Sequence, residues 1–150
     1  MTLMPGSPIA AIVNQYTTAE SGSVKPELIV MDGGGIDLIN NVNQATVNYV
    51  VNTFNQFLAR VKNDGTVHHI VYYLYPVIAA TPGVADALRP VMSQACANSP
   101  VPCYFIDLQP IFNGHPEYIG PDHIHPTATG ATLIGNAVWN VIQQNNLMHA

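Results

Sequence analysis

The chain has 150 residues, is 48% apolar and only 9% charged, and carries four Lys and Arg against nine Asp and Glu for a net charge of -5. This length suits one domain with a real core and is too short for two, and the apolar content excludes a disordered chain. No basic run is present to neutralise a phosphate backbone, which argues against nucleic acid as a partner, and no apolar stretch reaches the roughly 20 residues of a spanning helix.

The start, Met1-Thr2-Leu3-Met4-Pro5-Gly6, lacks the charged-then-apolar order of a signal peptide. Pro8 to Ala19 reads as a helix, with Ser7 as its N-cap and Pro8 at the first helical position, where a missing N–H is harmless. Leu28 to Met31 is a continuous apolar run, the mark of a parallel strand covered on both faces. Gly33, Gly34 and Gly35 then give a tight strand-to-loop turn; the Gly-x-Gly-x-x-Gly spacing and the lysine of phosphate loops are both missing. Asp32 and Asp37 straddle the turn at the carboxyl end of the strand, where open α/β sheets place ligands, and both read as turn or cap carboxylates.

Val47, Val50, Val51, Phe54, Leu58 and Val61 recur at steps of three and four, which predicts a helix with one core face. His69 to Tyr75 is the second strand, with His68 and His69 at its entrance, Val84 to Ala97 is a helix, and Tyr104 to Leu108 is the third strand. Ile134, Ala137, Val138, Val141 and Ile142 form the core stripe of a last helix. This alternation predicts a parallel sheet with right-handed crossovers in a doubly wound α/β layer architecture. No repeat, low-complexity tract or linker divides residues 1–150, which read as a single domain.

Cys96 and Cys103 flank a short helix-to-strand connection. Two readings stay open: a local disulfide in an oxidising, extracellular setting, or two buried free thiols in a cytoplasmic one. With no second Cys pair or matching His pair, the spacing does not suggest zinc.

The densest chemistry lies in Pro121-Asp122-His123-Ile124-His125-Pro126-Thr127. An Asp three residues before a His can accept the imidazole Nδ1–H, which fixes the tautomer and leaves Nε2 free to take a proton from a nucleophile. His125 is therefore read as a base and Asp122 as its orienting carboxylate, while the plainer roles are a helix-capping imidazole and a turn carboxylate. In an extended segment His123 points away from its neighbour and belongs to the rim. A metal reading would gather His123, His125 and Asp122 or His115 around zinc with a position open to water. No His-Glu-x-x-His helix supports it, and no metal or cofactor is expected; His115 and His149 fall in a loop and the tail. Among the serines only Ser7 adjoins a motif, and an N-cap hydroxyl is already bonded to backbone. Ser21, Ser23, Ser93 and Ser99 lie in loops or on a helix without an activating neighbour.

These residues resemble the SGNH or GDSL family of serine esterases and lipases. Asp122-His123-Ile124-His125-Pro126, followed by Gly130 and a helix, is similar to the family's last block, whose Asp and His are triad members. Pro26-Glu27-Leu28-Ile29-Val30-Met31-Asp32-Gly33-Gly34-Gly35-Ile36-Asp37-Leu38 is similar to its third block, a strand running into a Gly-x-Asn-Asp turn. Pro5-Gly6-Ser7 before a helix resembles the second block, whose glycine gives a backbone N–H to the oxyanion. The resemblance implies a three-layer, flavodoxin-like parallel sheet and a carboxylic ester hydrolase that transfers a short acyl group to serine. It makes His125 the general base and acid, Asp122 its orienter, Gly6 an oxyanion donor and a small ester the partner.

Two departures accompany the match. The family's first block, a strand ending in Gly-Asp-Ser with the nucleophile, precedes the second, yet only Met1 to Pro5 stands before Gly6; Ser7 is the one internal serine beside a motif. Ile36 occupies the place of the oxyanion-hole Asn, and losing one such donor slows a reaction by about a hundred- to a thousandfold. The resemblance therefore implies a domain incomplete at its N-terminus, without the first strand. The Leu28–Met31 strand would keep an open edge, to be covered by a second copy of the chain, an exchanged segment or an N-terminal piece. The alternative is a non-catalytic remnant that binds a ligand or partner through that edge.

Overall fold

Three parallel strands, β1 (Leu28–Met31), β2 (His69–Leu74) and β3 (Cys103–Asp107), lie side by side in chain order, with Leu28 opposite His69 and Ile70 opposite Cys103. The computed structural model describes residues 8–76 and 81–148. Around the sheet are α1 (Ile9–Glu20), α2 (Gly35–Leu38), α3 (Gln44–Asp64), α4 (Val84–Ala97), α5 (Gln109–Phe112) and α6 (Ala128–Gln144), with a 3-10 turn at Pro116–Tyr118. The expected strands are all present to within one residue at either end; α2, α5 and the 3-10 turn are too short to leave a periodic signal.

Alternation along the strands builds the layers. Ile29, Met31, Ile70, Tyr72 and Leu74 face a core shared with α1, α3 and α4, while Val30, Val71 and Tyr73 face a second core under α5 and α6. The result is the expected three-layer α/β arrangement. Gly34 makes the turn after β1 with φ 99°, and a Cβ there would stand 2.5 Å from Val50 Cγ1, so the close approach of α3 needs glycine.

The first helix begins differently from the sequence reading. Ile9 is its first residue and Pro8 its N-cap, which offers no side-chain acceptor, and Ser7 lies outside the described residues. The cap comes from 28 positions away: Ile9 N–H donates to Asp37 Oδ2 at 2.9 Å. A carboxylate at a helix N-terminus is favoured by the backbone dipoles; burial nonetheless raises the Asp37 carboxyl above its ordinary range, with the Ile9 bond opposing.

Cys96, in the last turn of α4, is disulfide-bonded to Cys103 at the start of β3, which settles the open cysteine reading. The bridge closes a short loop, with a sequence separation of 7. On the chain-entropy relation its removal by the Cys96→Ala/Cys103→Ala double substitution is expected to cost about 2–3 kcal/mol. Urea unfolding of the two proteins measures this directly, and an unchanged midpoint would contradict it.

The last helix is less covered than its stripe suggested. Of Ile134, Ala137, Val138, Val141 and Ile142, only Ile142 is buried, and Trp139 beside them is 50% exposed. The cause is the position of β1 at the sheet edge: no strand beyond it is found among the described residues, so α6 overhangs the edge. Yet Ile29 and Met31 are fully buried, as in a central strand. Trp139, Met148 and Val24, all at least half exposed, border two cavities that flank β1. One, of about 430 Å³, runs between Val30 and α6; the other, of about 610 Å³, is lined by Val24, Leu28 and Met148 among others.

Candidate active site

The Asp122–His125 segment is folded by backbone bonds before its side chains meet. Ile119 and Pro126 form an antiparallel bridge, Gly120 N–H donates to the His125 carbonyl at 2.7 Å, and Thr127 N–H donates to the Tyr118 carbonyl at 2.9 Å. Thr127 then caps α6, its Oγ1 accepting from Gly130 N–H at 3.2 Å. His125 is thus pinned two residues ahead of a capped helix. Gly130 is the helix position that lets the backbone at Tyr118 pass, since a Cβ there would lie 2.2 Å from the Tyr118 carbonyl oxygen.

Within this frame Asp122 is held by three bonds. Its Oδ1 accepts from the backbone N–H of Ile124 at 3.0 Å and of His125 at 2.9 Å, and its Oδ2 meets His125 Nδ1 at 2.5 Å. The His125 bond, then the two backbone bonds, hold the Asp122 carboxyl well below the usual carboxylate range. An ionised carboxylate on Nδ1 selects the tautomer with the proton there and leaves Nε2 as a base. Both side chains are about half exposed, so the pair is reachable from solvent.

His125 lines the apolar cleft between α6 and the sheet, together with Val30, Tyr73, Tyr75 and Ile134. His123 is turned away by a left-handed backbone, φ 61°. His115 bonds Glu117 at 2.8 Å and stacks on the Tyr118 ring. Among the described residues no three His, Cys, Asp or Glu side chains converge as a metal would require. Gly6, Ser7 and His149 lie outside the described residues.

Two acids at the carboxyl ends of the outer strands, β1 and β3, fare differently. Asp107 at the end of β3 pairs with Arg89 Nε at 2.7 Å. Asp32, one residue beyond β1, is 5% exposed and its Oδ1 has no hydrogen-bond partner; burial lifts its carboxyl to about 7, with its own backbone N–H opposing. The Tyr75 hydroxyl is likewise buried without a partner, and burial followed by the charges of Asp32 and Asp122 raises it above the ordinary phenol range. Reading Asp32 as a turn carboxylate missed this. Its place at a strand's carboxyl end, two residues after cleft-lining Val30, was the available signal.

No family profile matches the sequence, and no curated protein does. Solved structures do match the fold. A carbohydrate esterase of family 3 from Talaromyces cellulolyticus superposes with a TM-score of 0.77 at 11% identity, over 97% of this chain and 70% of that one. An acetyl esterase mutant with acetate matches at 0.67 and 12%, over 91% and 62%. An acetylxylan esterase from Geobacillus stearothermophilus, a catalytic mutant, matches at 0.66 and 16%, over 90% and 67%. The chain thus spans about two thirds of the length of these proteins, and its three parallel strands and flanking helices have the fold of carbohydrate and acetyl esterases, as the SGNH resemblance implied.

Proposed function

We propose that this chain carries the acid–base part of a carboxylic ester hydrolase that works by acyl transfer to serine. His125 takes the serine proton through Nε2 and returns it to the leaving alcohol, Asp122 orients the imidazole and stabilises its cationic form, and Gly6 gives a backbone N–H to the oxyanion. The observation that carries this reading is the 2.5 Å contact of His125 Nδ1 with a carboxylate fixed by two further backbone bonds, in the lining of an apolar cleft, in a fold shared with acetyl and carbohydrate esterases.

The nucleophile reaches His125 on a segment that pairs with the outer edge of β1. A strand lying parallel to β1 there would cover the α6 overhang with its side chains and end beside His125. The substrate is a small ester whose acyl group enters the cleft; no metal is invoked.

Labelling with a fluorophosphonate tests this in the protein as its source makes it. One serine is expected to be modified stoichiometrically, peptide mapping names it, and His125→Ala abolishes the adduct. A folded protein that takes no label overturns the proposal. It leaves a second reading, favoured by Ile36 and by the exposed apolar surface along β1: a non-catalytic domain that binds a partner or a second copy through this edge.

A further inference from the structure

Two buried oxygens, Oδ1 of Asp32 just beyond β1 and Oη of the cleft-lining Tyr75, lack hydrogen-bond partners. Buried polar atoms are bonded in the great majority of cases, and an orphan calls for an explanation. The Tyr75 ring lines the cleft together with His125, and the charges of both Asp32 and Asp122 act on its hydroxyl. In the parallel register Met31 lies opposite Tyr72, so Asp32 and Tyr75 both follow the carboxyl ends of paired strands, at the end of the sheet where His125 lines the cleft.

We infer that Tyr75 donates its O–H to the anionic oxygen formed at the ester carbon, in place of the side-chain amide that Ile36 lacks, and that Asp32 is a positioning residue that permits this only as the neutral acid. The inference rests on the ester-hydrolase reading above. Hydrogen-bond donors held in a water-poor site are strong stabilisers of such an oxygen, and a neutral carboxylic acid beside a tyrosine is a known device in anion-binding sites. While Asp32 is neutral, the Tyr75 hydroxyl is free to turn toward the cleft. Once ionised, Asp32 draws that O–H to itself and repels an incoming anion.

The groups around Asp32 fit this role. Its charge acts on Tyr72 and Tyr73, on opposite faces of β2, and on Tyr75 just beyond; Asp37 lies on α2, and Asp122 and His125 sit on the loop before α6. Tyr72 is already committed, donating to the Gly33 carbonyl at 2.7 Å. Desolvation dominates the Asp32 carboxyl, and among the described residues no cation offsets it.

Binding of dinitrophenolate, an anion at every pH used, tests the inference without any turnover. Below about pH 7 the wild type and Asp32→Asn are expected to bind it equally, and Tyr75→Phe about tenfold more weakly or worse, as for loss of a bond to a charged group. Above about pH 7 the wild type weakens, and this loss is absent in Asp32→Asn; any pH dependence common to both proteins belongs to other groups. Superimposable curves for wild type and Asp32→Asn, or full affinity in Tyr75→Phe, would overturn the inference. Fluorophosphonate labelling is a separate readout: a chain that binds the phenolate in this pattern but takes no label keeps the anion site and loses the serine reading.

Discussion

Gly130→Ala is expected to destabilise the domain by about 3 kcal/mol, the upper part of the usual range for overpacking, and to unseat His125. The built Cβ stands 2.2 Å from the Tyr118 carbonyl oxygen, 3.2 Å from its carbon and 3.0 Å from Pro126 Cβ. These are backbone and ring atoms, so no side chain can swing aside. The same Tyr118 carbonyl accepts from Thr127 N–H at 2.9 Å and from Thr127 Oγ1 at 3.2 Å, so moving it loosens the cap of α6 and the bridge that frames Asp122 and His125. Gly135, one and a half turns on, is the control. A Cβ there meets nothing within 4 Å, and Gly135→Ala should gain roughly 0.5–1 kcal/mol from helix propensity. Urea unfolding gives both values, and the His125 imidazole NMR signals report the loop; equal stability of the two variants would contradict the account.

Sequence reading captured what local pattern encodes and missed what arises from distant partners. β1 was placed at its observed bounds because a short apolar run is a direct imprint of burial, and the Val47–Val61 stripe marked α3 for the same reason. Asp122 and His125 were legible for the same reason: the carboxylate and its imidazole are three residues apart, and their geometry is made within one turn. The cap of α1 was not, since Asp37 reaches Ile9 only after β1 and its glycine turn have formed. The stripe of α6 was read correctly as the face that packs on the core, but its cover is partial, because periodicity records which face wants burial and not whether the sheet extends beneath it. Asp32 was seen at the right edge of the sheet; that its oxygen is buried without a partner is set by tertiary packing, which no local pattern announces.

The same buried acid gives the largest expected pH effect on stability. The Asp32 carboxyl is raised by burial from an ordinary 3.8 to about 7 in the folded chain. In the window between these values the unfolded chain has released the proton and the folded chain still holds it, so stability falls as pH rises; below the window there is no penalty, and above it the penalty is complete. A shift of this size corresponds to roughly 4 kcal/mol at about 1.4 kcal/mol per unit. Asp32→Asn, neutral and of the same shape, should therefore match the wild type in acid and exceed its stability by about that amount above about pH 7. Asp122 works in the opposite sense, its carboxyl being lowered by His125 and two backbone bonds, and its contribution is lost only in acid as the carboxylate is protonated. The difference between wild type and Asp32→Asn removes that common background. Urea midpoints measured across the range decide the matter: curves that diverge with rising pH place the charge penalty at Asp32, and parallel curves mean that its carboxylate finds compensation when it ionises.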